Sequence, residues 1–489
     1  MRYLLQPIWV LFLLLPLGLL AQQYSEDQLS SLKEKSFDQI ESGFKGYGEM
    51  AQEIWNYAEV GYQEYKSSEL LQHKLKEAGF TVEAGVAEIP TAFVATYGSG
   101  KPVIGILAEF DALPGLSQQA TPEPLKDESR TSGHGCGHNL FGVGSVAAAI
   151  AVKEQLTAGT FKGTVKVFGT PAEEGGSGKV YMVRAGLFDD VDVVLHWHPG
   201  NSNSASARSS LANTTAKFRF HGISAHAAAS PWDGRSALDG VEAMDDMVNM
   251  MREHVPQETR IHYIITAGGD APNVVPNFAE VYYYVRHPDM AQVKSIFKRL
   301  VKVAEGAAIG TETEMDYEIM SGVYNLLPVE ALGQLMYANL QTVGGVTYDE
   351  KEMEFAKTLQ ATFTNQDKVP DIKSAESIRP FEVIRSASGG GSTDVGDVSW
   401  VVPTVGLGTA TYVPGTPAHS WQAVACAGGT IGKKGMLVAA KTLAATAMDL
   451  YNDGELIKKA REEWLQYRGE DFKYEPLLGD RKPALDYRN

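Results

Sequence analysis

A glycine-rich segment of the sequence places a cysteine and a histidine two residues apart. It reads Gly133-His134-Gly135-Cys136-Gly137-His138-Asn139. Glycines on both sides of Cys136 let the backbone approach a ligand closely. A thiolate and an imidazole at this spacing can bind one metal ion, but Cys/His sites usually need further ligands. Without those ligands, Cys136 could be a buried small side chain or half of a disulfide with Cys426, and His138 a hydrogen-bonded core histidine.

Further ligand-type residues follow two apolar, strand-like runs. The run at 165–168 leads into Thr170-Pro171-Ala172-Glu173-Glu174-Gly175-Gly176, and the run at 191–195 ends in His196-Trp197-His198-Pro199. At the carboxyl end of a strand, one glutamate can bind a metal while its neighbour acts as a general base. The alternative for Glu173 and Glu174 is a solvated acidic turn, and spacing alone does not choose between His196 and His198.

A fourth cluster lies near the C-terminus, where His419 stands in the Gly/Pro-rich loop Gly415-Thr416-Pro417-Ala418-His419-Ser420. Four clusters of ligand-type residues at strand ends or in loops are hard to explain by accident. Together they predict a metal centre on an α/β scaffold.

The order of the elements agrees with such a scaffold. Short β-branched runs at 103–108, 165–168 and 191–195 alternate with helical stretches such as 145–156. Strands that alternate with helices predict an α/β/α domain with a central mixed, largely parallel sheet. Residues 26–58 and 67–78 have helical spacing before this sheet begins, and residues 430–451 form an Ala-rich helix suited to covering it.

Past residue 212 the pattern changes to β-α-β-β-α-β. Alternating runs at 214–221, 260–266, 279–286 and 313–319 read as strands, and 237–252 and 290–308 read as helices. This order is that of a ferredoxin-like α+β domain of about 110 residues. We expect it to be an insert at 213–325 that divides the catalytic domain into 22–212 and 326–489, with residues 452–489 wrapping the surface.

The N-terminus has the pattern of a cleaved signal peptide over residues 1–21. Arg2 precedes an apolar run of 13 residues at 8–20, and Ala21 offers a small residue for cleavage. The run is shorter than the roughly 20 residues of a membrane-spanning helix. The sequence therefore predicts an exported protein without stable membrane insertion, although an uncleaved anchor is the alternative.

Composition excludes several classes of protein. The 489 residues are 44% hydrophobic and 21% charged, which is typical of globular domains. A net charge of -17 and the lack of a Lys/Arg run argue against nucleic acid as a partner. With two cysteines in the chain, a disulfide scaffold is excluded.

Four stretches of the sequence resemble a known family. They are EFDALPGL from Glu109, GHGCGHNLFG from Gly133, TPAEEGGSGKVYMV from Thr170 and GGSTDVGDVSW from Gly390. They resemble the dinuclear-metal amidohydrolases and peptidases, a family that includes aminoacylases and glutamate-releasing carboxypeptidases. Within this family they are most similar to the branch that acts on aminobenzoyl-glutamate, and the resemblance covers roughly residues 54–451.

The resemblance implies two divalent metal ions, Zn or Mn with Co or Ni as alternatives, held by Cys136, His138, Glu174, His198 and His419. His198 is preferred over His196 because the family histidine stands six residues after an aspartate, here Asp192. Glu173 becomes the general base. Many relatives with the cysteine have aspartate where this chain has Asn139, so a carboxylate at 139 cannot orient a metal ligand here. Asp111 is the candidate for a carboxylate that hydrogen-bonds to a metal ligand and orients it. The alternative for Asp111 is turn capping.

In the insert, the resemblance gives His226 a catalytic role, reaching across a homodimer into the partner's active site. The alternative to the homodimer is a hetero-oligomer with a related chain. It also implies that Asn273 and Arg286 bind the substrate carboxylate, which Arg can hold by two parallel hydrogen bonds. The alternatives are a turn for Asn273 and a surface ion pair for Arg286. Gly391, in the run at 389–391, could present backbone N–H groups to substrate or belong to a flexible loop.

These assignments predict an enzyme that hydrolyses the amide bond of small N-acyl amino acids, with p-aminobenzoyl-glutamate as the leading substrate. A broader N-acyl-amino-acid amidohydrolase or dipeptidase is the alternative within enzymes. An inactive binding protein would lack a ligand or Glu173, and a structural metal site would be closed, with no free carboxylate. Because a metal-bound Cys136 cannot form a disulfide, Cys426 is expected to be a single thiol.

Overall fold

The computed structural model describes residues 23–387 and 389–488, so the predicted signal segment 1–21 lies outside the described residues. Among the described helices, none combines the length and the apolar character that crossing a membrane requires. The described chain has fourteen strands and thirteen α-helices. The positions of these elements determine where the candidate site residues lie.

The strands are β1 (Thr81–Ala84), β2 (Phe93–Ser99), β3 (Val103–Ala108), β4 (Leu113–Pro114), β5 (Ser132–Gly133), β6 (Gly163–Gly169), β7 (Val193–Gly200), β8 (Ala207–Arg208), β9 (Ala212–His221), β10 (Arg260–Ala267), β11 (Phe278–His287), β12 (Glu314–Val323), β13 (Val383–Ile384) and β14 (Thr404–Ala410). The helices are α1 (Glu26–Ser42), α2 (Phe44–Tyr57), α3 (Tyr65–Glu77), α4 (His138–Thr157), α5 (Gly178–Arg184), α6 (Ala237–Met251), α7 (Met290–Thr311), α8 (Glu330–Val343), α9 (Glu350–Gln360), α10 (Val395–Ser399), α11 (Trp421–Ala427), α12 (Thr430–Asn452) and α13 (Gly454–Arg468).

Six strands form the central sheet, in the order β1-β2-β6-β3-β7-β14. Strands β6, β3, β7 and β14 run parallel to one another, β2 pairs antiparallel with β6, and β1 pairs antiparallel with β2 at the edge of the sheet. This confirms the predicted mixed, largely parallel sheet. Strand β3 is buried along its whole length, as its unbroken apolar run Val103–Ala108 predicts for a strand covered on both faces.

Helices α4 and α12 pack on this sheet and on each other. Helix α4 is buried on all sides over residues 138–152, most of which are apolar. A side chain at Gly144 would overlap Trp197 of β7, since a Cβ there would come within 2.9 Å of the indole. The glycine therefore allows α4, which begins at His138, to lie directly against the strand that carries His198.

The insert has its own four-stranded antiparallel sheet, in the order β10-β11-β9-β12. Helices α6 and α7 cover one face and enclose a separate core that includes Phe218, Val241, Tyr283 and Leu300. Chain order and sheet order together are those of the predicted ferredoxin-like domain. Its first strand begins at Ala212 and its last strand ends at Val323, close to the predicted boundaries at 213 and 325.

The C-terminal region is more deeply packed than its charged sequence predicts. Trp464 of α13 is 2% exposed, and Leu478 is 3% exposed in the segment that follows. Arg184 of α5 donates through Nη1 to the carbonyl oxygens of Gly479 and Arg481, at 3.0 and 2.8 Å. Most residues of this segment are exposed or half-buried, and apolar residues among the charges anchor it.

Candidate metal centre

The predicted ligands lie at one edge of the central sheet. Glu109 and Asp111 follow β3, Glu173 and Glu174 follow β6, and His198 lies near the end of β7. The carboxyl ends of parallel strands meet at the same edge of a sheet, so residues distant in sequence become neighbours. Cys136 and His138 enter this edge from the start of α4.

Cys136 and His198 meet through a close approach of backbone segments. Cys136 Sγ lies 3.4 Å from His198 Nε2. Between Cys136 and His138, Gly137 has φ +73°, and a Cβ there would lie 2.7 Å from Pro199. Glycine is needed at 137 for its conformation and for its lack of a side chain. His196, one pleat away from His198, lies against Gly406 and joins no candidate ligand group among the described residues.

His138 is held between two carboxylates. Its Nδ1 lies 2.8 Å from Asp111 Oδ1, and its Nε2 lies 3.1 Å from Glu109 Oε2 without a hydrogen bond of acceptable geometry. Burial lowers the pKa of His138, but Cys136, Asp111 and Glu109 outweigh it and raise that pKa well above its usual value. Asp111 fixes the proton on Nδ1, so Nε2 is the nitrogen that can exchange its proton for a metal.

A second group contains Cys136, Glu174 and His419. Glu174 Oε1 lies 3.1 Å from His419 Nε2, although the sequence separates these residues by more than half of the chain. The backbone N–H of His419 donates to the carbonyl oxygen of Gly135 at 3.1 Å. This bond fixes the loop with His419 beside the glycine-rich segment that carries Cys136.

The two groups fit a pair of divalent metal ions. The ligand atoms of Cys136, His138 and His198 lie within 4.8 Å of one another, as do those of Cys136, Glu174 and His419. Cys136 belongs to both groups. His138 Nε2 and Glu174 Oε1 are buried and make no hydrogen bond of acceptable geometry, which is costly unless another partner satisfies them. All five predicted ligands are therefore brought together by the fold.

Glu173 belongs to a third group, with Glu109 and His138. Burial raises its pKa well above the usual value, and the charges of Glu109 and Glu174 add to the effect. A carboxyl group with a raised pKa beside a metal centre is suited to accept and return a proton. Its neighbour Glu174 lies in the ligand group, so the adjacent glutamates take the two different positions that their predicted roles require.

The turn that carries these glutamates has an unusual backbone. Ala172 and Ser177 have φ of +57° and +60°, in the left-handed region that non-glycine residues rarely adopt. The turn is held by Glu64 Oε1, which accepts the Ala172 N–H at 2.8 Å, and by Asp111 Oδ2, which accepts the Glu174 N–H at 2.9 Å. Strain of this kind persists only where surrounding contacts support it.

A buried ion cluster behind the centre was not predicted from the sequence. Lys179 Nζ lies 2.7 Å from both Glu109 Oε1 and Asp394 Oδ1, and all three side chains are at most 1% exposed. The available signals were a charged residue directly after the apolar run of β3 and a lysine directly after the glycine turn. Glu109 thus contacts both Lys179 and the His138 ring.

The residues predicted in the insert fall into two separate places. His226 and Asn273 lie together in the loops at one end of its sheet, where Ala227 N–H donates to the Asn273 carbonyl at 3.0 Å. Arg286 lies near the other end of β11, beside Asn213. Eight residues of strand separate the start of β11 at Phe278 from Arg286, which is roughly 26 Å. One chain therefore does not bring His226 and Arg286 to the same site.

Arg286 is half-buried over the ring of Tyr284, and its Nε is buried without a hydrogen-bond partner. Among the described residues it makes no ion pair, contrary to the surface ion pair that was its alternative. Gly391 is exposed, and its carbonyl oxygen accepts the N–H of Leu211 at 3.2 Å. This places the glycine run beside the first connection to the insert.

Asn139, next to the predicted ligand His138, has a structural role. Asn139, at the position where many relatives have aspartate, donates through Nδ2 to the carbonyl oxygens of Ala51 and Ala427, both at 3.1 Å. It connects α4 to flanking segments rather than orienting a ligand. Cys426 and Cys136 are both buried free thiols.

Comparison with known proteins identifies relatives of this chain. Residues 209–312 match the peptidase dimerisation domain of M20 proteins. Over 451 residues, 88% of this chain and 94% of the relative, the sequence is 43% identical to a subunit of the p-aminobenzoyl-glutamate hydrolase of Escherichia coli strain K12. This chain belongs to the M20 peptidase family. The M20 fold is confirmed by a dinuclear metal binding peptidase of Bacillus subtilis, with a TM-score of 0.55 at 16% identity over 84% of this chain and 99% of that one.

A second M20 relative differs in its substrate. The chain is 30% identical to Xaa-Arg dipeptidase of Mus musculus over 456 residues, which is 90% of this chain and 94% of the relative. Both relatives are named for the hydrolysis of an amide bond, and this M20 chain is likewise an amide-bond hydrolase. The Bacillus subtilis peptidase is named as dinuclear metal binding, and in this chain the two ligand groups at the sheet edge are candidate metal positions.

Proposed function

We propose that this M20 hydrolase cleaves the amide bond of N-acyl amino acids, with p-aminobenzoyl-glutamate as the leading substrate and p-aminobenzoate and glutamate as products. The observation that carries the proposal is the position of Glu173 beside two ligand groups that share Cys136. A base next to paired metal ligands is the arrangement that hydrolysis by an activated water requires. The choice of substrate is supported by the 43% identical relative.

In this proposal Cys136, His138 and His198 would hold one divalent ion, and Cys136, Glu174 and His419 would hold the other. When bound, such ions lower the pKa of a water toward about 7 and polarise the scissile carbonyl. Glu173 accepts the proton of the attacking water and returns it to the departing amine. The nearby Asp111 keeps the His138 ring oriented throughout.

His226 is proposed to act from the partner of a homodimer. Its Nδ1 accepts the backbone N–H groups of Ala228 and Ala229, both at 3.2 Å, so the neutral ring carries its proton on Nε2. An Nε2–H donor can stabilise the oxyanion that forms during attack, and removing such a donor costs about 2.7 to 4 kcal/mol in other enzymes. Because the fold separates His226 from Arg286 in one chain, a second copy is the simplest source of the donor.

Arg286 and Asn273 are proposed to bind the carboxylate of the substrate. Support comes from the Arg286 guanidinium, which has a buried Nε without a partner and lies on the open face of the insert sheet, beside Tyr284. The loop of Asn273 is hydrogen-bonded to the loop of His226, so Asn273 is proposed to come from the partner as well. The N–H groups of the run that contains Gly391 are a further candidate contact.

The donor set does not select one metal. A thiolate with imidazoles favours zinc, whereas carboxylates and open positions also suit manganese, cobalt or nickel. We propose zinc or manganese as the resident ion. The metal-free protein can be loaded with each ion in vitro, and the rate of amide hydrolysis measured for each loaded form separates these possibilities.

A dipeptidase or broader N-acyl-amino-acid amidohydrolase is the second candidate function. It is favoured by the 30% identical Xaa-Arg dipeptidase, which matches nearly the whole chain. Such an enzyme would use the same metal ligands and the same base, because the metal centre would act only on the scissile amide bond of the substrate. The difference would lie in the residues that contact the acyl group and the side chain of the released amino acid.

We also propose that the protein is exported. The support is Arg2, the 13-residue apolar run at 8–20 and Ala21. N-terminal sequencing of protein recovered from cell fractions tests this proposal: cleavage after Ala21 in an exported fraction is expected. Full-length protein confined to the cytoplasm would contradict it.

The proposed function is tested by measuring metal content together with product release from a panel of substrates. We expect close to two ions per chain. We also expect faster cleavage of p-aminobenzoyl-glutamate, measured as release of glutamate, than of acetyl-glutamate or of dipeptides that end in arginine, measured as release of glutamate and of arginine respectively. Preferred cleavage of the dipeptides would favour the second candidate. A pure, metal-loaded protein that cleaves none of these amides would contradict both.

A further inference from the structure

The C-terminal segment 477–488 lies between the insert and the turn that carries the two adjacent glutamates. At its start, Arg481 donates through Nη1 to the Met320 carbonyl of β12 at 3.1 Å and lies 3.2 Å from Glu318 Oε1 through Nη2. Further on, the carbonyl oxygen of Leu485 accepts Gln63 Nε2 at 2.8 Å. The segment is therefore fixed to both parts of the chain before it reaches the metal centre.

Two side chains of this segment converge on one backbone oxygen of the centre. Tyr487 Oη donates to the Glu174 carbonyl at 3.0 Å, and Arg488 Nη2 donates to the same oxygen at 2.6 Å. The N–H of Glu174 is held from the other side by Asp111 Oδ2 at 2.9 Å. Both backbone polar groups of a proposed metal ligand are thus fixed, one by Asp111 and one by the C-terminal segment.

The fit around Tyr487 is close. Its ring meets Tyr62 edge-on with centroids 5.5 Å apart, and a side chain at Gly61 would overlap its hydroxyl. Tyr62 in turn donates to the Gly176 carbonyl at 2.7 Å. The two tyrosines therefore support neighbouring peptide groups of the same turn.

We propose that Tyr487 and Arg488 are positioning residues of the metal centre. The proposal rests on the proposed role of Glu174 as a metal ligand. The turn contains Ala172 and Ser177 at positive φ, a conformation that needs external support. A guanidinium and a phenol on the Glu174 carbonyl supply it, the former through a charge-assisted hydrogen bond. By fixing this peptide they determine where the side chains of Glu173 and Glu174 point.

The test compares the double variant Tyr487→Phe/Arg488→Gln with the wild type and with Lys482→Gln. Lys482 belongs to the same segment, but its Nζ forms an ion pair with Glu88 at the surface, where both side chains are exposed. The variant Lys482→Gln is therefore a matched control for the loss of one positive charge. The readouts are the rate of metal transfer to a chelator, kcat and KM, and the melting temperature. Arg488→Lys and Tyr487→Phe are measured singly.

We expect metal transfer from the double variant to a chelator to be about tenfold faster or more, and its kcat to fall by a similar factor. This is the range found when residues that hydrogen-bond to metal ligands are removed in other proteins. KM and the melting temperature should stay near those of Lys482→Gln, and Arg488→Lys should recover part of the loss. Unchanged metal transfer and kcat would overturn the proposal. The proposal would also be overturned if the single variants had a lower melting temperature but unchanged metal transfer. That result would show that the two residues contribute to folding alone.

The result separates this proposal from the proposed function. If wild-type protein binds no metal or cleaves no amide, the proposed function fails. If the wild type binds metal and cleaves the substrate but the double variant behaves like Lys482→Gln, the positioning role alone fails.

Discussion

Asp111 Oδ1 lies 2.8 Å from His138 Nδ1, and both side chains are fully buried. The other oxygen of Asp111 accepts the N–H of Glu174 at 2.9 Å. One carboxylate therefore orients a proposed ligand on the helix α4 and another on the turn after β6. Burial raises the pKa of Asp111, but His138 and the Glu174 N–H outweigh it and leave that pKa below its usual value. Asp111 is thus held as an anion that only accepts hydrogen bonds.

Asp111→Asn should weaken metal binding by about 10- to 100-fold, as loss of such partners does in other metal sites. The amide can accept only through one oxygen, so it cannot serve both His138 Nδ1 and the Glu174 N–H. Competition with a chelator measures the change. Binding equal to that of the wild type would contradict the role assigned to Asp111.

Glu173→Gln should keep the metal content and lower kcat by about 10²- to 10⁴-fold, the usual contribution of a general base. The amide has nearly the shape of the carboxylate but cannot accept the proton of water. Elemental analysis of the purified variant, with kinetics on p-aminobenzoyl-glutamate, checks both parts. Near-normal turnover would remove Glu173 from the mechanism, and loss of metal would place it among the ligands.

Mixing two inactive variants tests whether His226 acts across a dimer. Glu173→Gln and His226→Ala should each be almost inactive alone. After subunit exchange in equal amounts, half of the dimers pair one chain of each kind, and each such dimer has one intact site. Activity should therefore recover to about a quarter of the wild-type value.

The control for this experiment is an assay directly after mixing, before the subunits exchange. Recovery that appears only after exchange supports the shared site. If the exchanged mixture stays inactive although mixed dimers form, His226 acts within its own chain or not at all.

Arg286→Gln should raise KM for p-aminobenzoyl-glutamate by about tenfold or more, since a hydrogen bond to a charged group contributes roughly 1.5 to 3 kcal/mol. The chemical step should change less, because Arg286 is proposed to bind the carboxylate and not the amide. Arg260→Gln, an exposed neighbour paired with Arg286 in the sheet, is the control. Equal KM values for the two variants would exclude Arg286 from substrate binding.

Asp397 gives a pH dependence of folding stability. Burial raises its pKa from 3.8 to about 7, although Tyr474 Oη and the Tyr324 N–H donate to it. Between pH 3.8 and 7 the folded protein holds a proton that the unfolded chain has lost, so stability falls as pH rises. Above pH 7 the full cost of the buried charge is present.

Asp397→Asn should remove this dependence. The free energy of unfolding of the variant minus that of the wild type should therefore be about 2–3 kcal/mol larger at pH 8 than at pH 5. Urea unfolding at the two pH values measures the gain. Asp270→Asn, in an exposed loop of the insert, is the control and should show no such gain. Parallel pH profiles for Asp397→Asn and the wild type would contradict the assignment.

Much of the fold could be predicted because its signals are local. The apolar run Val103–Ala108 became a fully buried strand, and the β-α-β-β-α-β order after residue 212 became the separate sheet of the insert. Period and chain order are properties of neighbouring residues, which the sequence displays directly. The same holds for the ligand clusters, since each follows a strand-like run or lies in a glycine-rich loop.

Contacts between distant segments were decided by the tertiary structure. Spacing could not choose between His196 and His198, because both lie on the same face of β7, and only the fold shows which one meets Cys136. Local signals marked Glu109 and Lys179 as unusual, but no local pattern showed that these two residues meet, or that Arg488 approaches Glu174. The sequence by itself determined which elements form and which residue types stand at their ends. Only packing determined which of those residues share a site, because hydrogen bonds and ion pairs depend on distances that chain order does not contain.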